Sequence, residues 1–239
     1  MSAVPLDEER VETWVSIDVG IINLAMVKAK VWVESNRLKV LDLRCVDITN
    51  IPHNKVPRAS CNLYHTCCIF DRMQHFYQEF DDVFVDADRV LIERQPLSGL
   101  VHVEQNLYGH YRSRAFLVSP NSVHKWLGIR HMDYDNRKVQ TVRKAETYLA
   151  AFPLWREKSR KHDLADALCF LLFELHKQFV KLKEEHRKKR THASVHLPLP
   201  WQKHTVDQTD NGTDNGTDTS SDTDTINSFL DTFKYNATR

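Results

Sequence analysis

Four carboxylates, carried by three segments far apart in the chain, sit where they could hold divalent cations. Asp18 lies in the run 14–20, where Val15, Ile17 and Val19 fall on one side and Ser16 and Asp18 on the other, the alternation of a β-strand. Glu93 closes a second apolar run, Val90-Leu91-Ile92-Glu93. Asp163 and Asp166 open an apolar helix in Lys161-His162-Asp163-Leu164-Ala165-Asp166-Ala167-Leu168. Their i,i+3 spacing projects them from one helical face with Cβ atoms about 5–6 Å apart. Carboxylate and water oxygens suit Mg²⁺ or Mn²⁺, and two-metal phosphodiester chemistry needs several such ligands to converge. Each acid also has an ordinary explanation. A strand-end acid can cap a loop or, for Glu93, pair with Arg94, and acids in a first helical turn are favoured by the helix dipole. The dipole accounts well for one aspartate and less well for two, because Leu164, Ala165, Ala167 and Leu168 draw that turn into the interior.

The elements that must position these acids follow from periodicity. Residues 14–20 form the first strand, with Gly20 at a turn or bulge, 24–33 the return strand and 39–48 a third. Ile69, Met73, Phe76 and Phe80 mark a helix within 63–84. Residues 89–93 are a fourth strand, 102–116 a helix and 116–119 a short fifth strand stopped by Pro120. One or two helical turns fit 122–127, a basic amphipathic helix 137–152 and a last helix 159–192. Three sequential antiparallel strands followed by alternating helix and strand give an α/β fold, a mixed five-stranded sheet flanked by helices.

Composition sets the frame. A chain of 239 residues, 41% hydrophobic, can bury one sizeable core. The net charge of +1 conceals a segregation. From Asp207 to Arg239 there are seven Asp and two basic residues, whereas between Arg137 and His192 fifteen Lys and Arg stand against seven acids. A basic excess confined to one region is the footprint of a polyanion partner, although Lys-rich runs are also ordinary solvated helix faces. No apolar stretch reaches the roughly 20 residues needed to cross a bilayer, so no membrane partner is expected. Five cysteines, an odd number, argue against a complete disulfide framework and for a soluble protein in a reducing, intracellular compartment. The domain reading is a flexible arm over 1–13, a main domain over 14–192 and an acidic tail over 193–239. Its Asp/Thr/Ser/Asn/Gly-rich stretch 207–225 has little to bury and is expected to be disordered. Phe229 and Phe233 within 226–235 leave room for a small docking helix.

Taken in order, Ile17-Asp18-Val19-Gly20-Ile21-Ile22-Asn23-Leu24-Ala25, Ile92-Glu93-Arg94-Gln95 and the 161–168 segment resemble the Holliday junction resolvases of the RuvC superfamily. The likeness is to the branch of poxviruses, related large DNA viruses and fungal mitochondria, and runs from about residue 14 to about 175. It implies a ribonuclease H-like fold, a homodimer, and Mg²⁺-dependent resolution of four-way junction DNA by symmetric nicks, with Mn²⁺ able to substitute. It further implies that Asp18 bridges the metals, Glu93 ligates one, and Asp163 and Asp166 ligate metal and orient the attacking water. The setting would be a virus-infected cell or a mitochondrion. His162 departs from relatives that carry an acid or a neutral residue beside the first helix aspartate. It is either a proton shuttle or a partly exposed histidine at a helix start.

The same likeness gives the basic residues a use. Lys138, Arg143, Lys144, Lys158, Arg160 and Lys161 are candidates for phosphate contacts, as are Arg112 and Arg114 near Tyr108 and Tyr111. Asn23 could bond a metal water or the scissile phosphate, or only fix the turn after Gly20. Tyr108 and Tyr111 could stack on bases at the crossover, with core packing the better account of at least one. Cys61, His65, Cys67 and Cys68 invite a zinc reading, but their spacing matches no common closed site and adjacent ligands strain tetrahedral geometry. The acidic tail fits either a DNA mimic covering the basic face or a solubilising appendage. Competing readings are another nuclease or transposase of the same fold, a non-catalytic DNA-binding module, and an actin-like kinase or ATPase. The last needs a second glycine-rich phosphate loop, and only Gly20, Gly99, Gly109 and Gly128 precede the tail.

Overall fold

The computed structural model describes residues 9–55, 57, 61, 63 and 68–194. The chain divides into two units, Met1–Lys181 and Leu182–Arg239. The sheet lies in the first, and the described part of the second is the end of a helix. The stretches 207–225 and 226–235 lie outside the described residues. Among the described residues there are five strands: β1 Val11–Asp18, β2 Leu24–Trp32, β3 Arg37–Val46, β4 Arg89–Glu93 and β5 Ala115–Val118. Six helices accompany them: α1 Ile69–Phe84, α2 Val101–His110, α3 Pro120–Trp126, α4 Tyr134–Leu149, α5 Pro153–Glu157 and α6 His162–Ser194. The sheet order is β3-β2-β1-β4-β5, with β1–β2 and β2–β3 antiparallel and β1–β4 and β4–β5 parallel. This is the mixed five-stranded sheet with flanking helices that the periodicity implies. None of the described helices is long and apolar enough to cross a membrane.

Strand parity assigns the layers. Val15, Ile17 and Val19 of the first strand and its exit, with Val90 and Ile92 of β4, pack in one core with Met73, Phe76, Tyr77 and Phe84 of α1 and Val103 and Leu107 of α2. Side chains alternate across a sheet, so Trp14, Ser16 and Asp18, like Leu91 and Glu93, point to the opposite face. The fully buried α6 residues Leu164, Leu168, Leu171 and Leu172 lie outside the α1–α2 core.

Several boundaries differ from the periodicity, each for a local reason. β1 begins at Val11, before residue 14, because the buried Glu12 carboxylate accepts from Trp14 Nε1 (2.7 Å) and Arg89 Nε (3.0 Å). These bonds satisfy a charge that would otherwise resist burial. α4 starts at Tyr134 rather than 137, since Asp133 caps it by accepting from the backbone of Asn136 (2.9 Å). It ends at Leu149, and Pro153 opens α5 instead of the helix running to 152. α1 begins only at Ile69, and α2 stops at His110, leaving a turn before β5.

Gly20 is fixed by space. A Cβ there would lie 2.6 Å from the Asn23 carbonyl oxygen and 2.7 Å from its carbon, both backbone atoms. The turn leaving Asp18 is therefore too tight for a side chain. Gly20→Ala should cost about 1–3 kcal/mol of unfolding free energy by overpacking. Denaturant melting of the variant against wild type measures this, and an unchanged midpoint would show that the turn relaxes freely.

Candidate active site

The four acids converge at one end of the sheet. Ile17 of β1 is in register with Ile92 of β4 on parallel strands, so the following residues, Asp18 and Glu93, leave neighbouring strands side by side at their C-terminal ends and on the same face. Crevices at the carboxyl ends of parallel strands are the common place for ligands in α/β sheets. The first turns of α6 complete the cleft, an open cavity of about 260 Å³ lined by Asp18, Glu93, Asp163 and Asp166. Gln95, Lys138, Thr141 and His162 line it too.

The charges there are in conflict. Burial first, then the charges of Glu93, Asp166 and Asp163, pushes Asp18 well above the usual carboxylate range. Asp18 and Glu93 are within hydrogen-bonding reach of one another, which two ionised carboxylates cannot exploit. A proton or a cation between them relieves that repulsion. Glu93 is raised chiefly by burial, against which its bonds to Asp18, the Val19 amide and Gln95 act. Asp166 is pushed up to about 7, by burial and by Glu93 and Asp163, with the Thr141 hydroxyl opposing. An all-oxygen donor set of mutually repelling acids fits a hard divalent cation, which replaces the missing protons with positive charge.

Neighbouring groups hold the acids in place. Glu93 Oε2 accepts from the Val19 amide (3.1 Å) and from Gln95 Nε2 (2.6 Å). Gln95 is itself fixed: its Oε1 accepts from the Leu100 amide (3.1 Å), and its own amide donates to the buried Glu104. On α6, Arg160 Nε donates to Asp163 Oδ2 (2.9 Å), and His162 Nε2 stands 3.3 Å from Asp163 Oδ1. The same His162 Nε2 is 3.0 Å from Lys138 Nζ. The ammonium, which only donates, favours an unprotonated Nε2, whereas the Asp163 carboxylate, which only accepts, favours a protonated one. His162 is lowered chiefly by burial, with Asp163 opposing and Lys138 and Arg160 adding to the burial effect.

The basic candidates separate. Lys138 and Arg160 reach the cleft and its acids. Arg143 is exposed on α4 and Arg112 is exposed after α2. Lys161 packs its ammonium 5.2 Å from the Trp155 ring centroid, and Lys158 donates to Cys45 Sγ (2.7 Å). Arg114 is committed to the fold, donating to the Ala87 carbonyl (2.7 Å) and covering Tyr111. Lys144 is partly exposed on α4. Asn23 supplies the backbone that closes on Gly20. Tyr111 is buried, stacked on Phe84 at 4.5 Å, whereas Tyr108 is 38% exposed. Gln95, Glu104 and Thr141 escaped sequence reading, since nothing in their local pattern distinguishes a positioning residue from a surface polar one. Gln95, two residues beyond Glu93 on the same strand exit, carried the one available hint.

The model of the family described as Poxvirus A22 protein matches residues 12–177. No curated protein sequence matches the chain. Among solved structures, the fowlpox virus resolvase in complex with substrate Holliday junction DNA aligns with 69% of this chain and 97% of its own, at 16% identity and TM-score 0.51. The yeast mitochondrial Holliday junction resolvase, Ydc2, aligns with 75% of this chain and 85% of its own, at 18% identity and TM-score 0.51. At these identities the likeness establishes a shared fold.

The raised carboxylates give a stability prediction for the metal-free protein. Asp166 has a folded value of about 7 against an ordinary 3.8, and Asp18 and Glu93 are raised as well. Between these values the folded state binds more protons than the unfolded one, so this contribution is full below the ordinary value and lost as pH rises through about 7. The fall in Tm between pH 5 and pH 8 should be smaller in Asp166→Asn than in metal-free wild type, and Mg²⁺ should raise the wild-type Tm more at pH 8. Equal pH slopes in the two proteins would contradict the assignment.

Proposed function

The chain belongs to the Poxvirus A22 protein family, and from that premise we propose that it is a metal-dependent, structure-selective DNA endonuclease that resolves four-way junctions by paired symmetric nicks. The observation that carries this reading is the convergence of Asp18, Glu93, Asp163 and Asp166 on one open cleft with Lys138 alongside. The fold shared with two Holliday junction resolvases supports it. A non-catalytic binder would gain nothing from presenting four carboxylates to a phosphate backbone.

Asp18, Glu93, Asp163 and Asp166 would hold Mg²⁺, with Mn²⁺ an acceptable substitute for an all-oxygen donor set. When bound, such ions supply activation of a water nucleophile and neutralisation of charge on the leaving 3′-oxygen. The chain's own residues prepare for this. Gln95 and the Val19 amide fix the orientation of Glu93. Asp163 and Asp166, on the first turns of α6, would ligate metal and orient the attacking water. Lys138 and Arg160 offset the negative charge of the cleft and would contact the substrate phosphate. The exposed Arg143 and Arg112, with Lys144, Lys158 and Lys161, extend the contact to the backbone of the junction arms, giving salt-sensitive affinity without sequence reading. Asn23 shapes the turn beside Asp18. Paired nicks require two such clefts, hence a homodimer. The catalytic work belongs to residues 14–192, in an intracellular setting, viral or mitochondrial.

The test is cleavage of a labelled four-way DNA junction beside a linear duplex and an RNA–DNA hybrid, with Mg²⁺, using wild type and Asp166→Asn. Paired symmetric nicks should appear on the junction alone. The variant should lose at least about 100-fold in rate while still binding the junction. Cutting of the hybrid or the linear duplex instead would place the enzyme in another nuclease class of the same fold.

A further inference from the structure

On the face of the sheet opposite the carboxylates, three residues from separate parts of the chain meet. His53 follows the third strand, Cys61 lies eight residues further on, and His75 is in α1. One potential ligand atom from each falls within 4.8 Å of the others, the one such His- and Cys-containing group among the described residues. This is not the grouping that the local spacing suggested. Of Cys61, His65, Cys67 and Cys68, Cys61 takes part and the described Cys68 does not; His65 and Cys67 lie outside the described residues, and the partners come from both flanks.

The geometry is that of a ligand set. Cys61 Sγ is 3.8 Å from His75 Nδ1. A tetrahedral zinc with Zn–S about 2.3 Å and Zn–N about 2.0–2.1 Å would hold sulfur and nitrogen about 3.6 Å apart. The other nitrogen of His75, Nε2, stands 3.3 Å from the Pro52 carbonyl oxygen. A carbonyl only accepts, so Nε2 carries the hydrogen and the lone pair of a neutral ring lies on Nδ1, toward Cys61. Fixing the tautomer of a ligand histidine through a backbone carbonyl is the usual outer support of metal sites. The loop that brings His53 is tied down as well. The Glu79 carboxylate, buried one helical turn beyond His75, accepts from the backbone amides of Asn54 and Lys55 (each 3.0 Å). Lys55 Nζ pairs in addition with Asp81 and Asp82. His53 and His75 then face one another with ring centroids 4.3 Å apart.

We infer that His53, Cys61 and His75 form a second metal site, for Zn²⁺, which fastens the connection after β3 to α1. Two imidazoles and a thiolate favour zinc over the hard cations that suit four carboxylates. The described residues supply three ligands and leave one tetrahedral position for a further donor. Binding converts the Cys61 thiol to thiolate and releases one proton to solvent. The bland account is a thiol donating to an imidazole, which needs no metal.

Co²⁺ replaces Zn²⁺ and reports its ligands. Full-length protein stripped with a chelator and returned to stoichiometric Co²⁺ should show thiolate-to-metal charge-transfer absorption that Zn²⁺ displaces. Cys61→Ser should abolish that absorption, and both Cys61→Ser and His53→Gln should weaken Zn²⁺ retention by at least about 100-fold. His53 and Cys61 are only partly buried on the connection, so these variants spare the core. Cys45→Ser and Asp18→Asn should keep the absorption, which separates this site from the other thiols and from the carboxylate cleft. Absence of the band in wild type, or its persistence in Cys61→Ser, overturns the inference.

Discussion

Repulsion among four carboxylates at the C-terminal edge of β1 and β4 is the constraint around which the structure is organised. Asp18 and Glu93 leave adjacent parallel strands on the same face, and α6 brings Asp163 and Asp166 to the same cleft. Charges this close and this desolvated are stable only when protonated or balanced by cations. The raised proton affinities of Asp18, Glu93 and Asp166 express that conflict in the metal-free chain. A protein with no use for a cation there would gain stability by replacing any of these acids.

The rest of the fold meets the cost of holding them together. Two apolar layers clamp the central strands, so Asp18 and Glu93 cannot swing apart without breaking buried backbone pairing. The tight Gly20 turn limits where the chain can go after Asp18. Gln95 and Glu104 form a short relay that orients Glu93, and Arg160 occupies Asp163. These contacts restrict the orientations open to Glu93 and Asp163.

How much of this the sequence disclosed depended on range. Asp18, Glu93, Asp163 and Asp166 were legible because strand alternation and helical spacing are local, and because strand order brings the ends of β1 and β4 together. The element order was legible for the same reason. The start of β1 at Val11 was not, because Glu12 looks like a surface acid until Arg89, 77 residues away, is placed beside it. Arg114 read as a phosphate ligand, although its guanidinium is spent on Ala87 and Tyr111. The His53–Cys61–His75 group was hidden in the same way: its members are spread over a loop and a helix, and only tertiary packing brings the two histidines to one cysteine.

The most direct test of the central claim is anomalous diffraction from crystals soaked in Mn²⁺. Density for Mn²⁺ coordinated by Asp18 and Glu93 together with an α6 aspartate is the expected result. A carboxylate cleft without Mn²⁺ in crystals of protein that cuts junctions in the same Mn²⁺ solution would contradict it, since the clustered acids would then need another reason to exist.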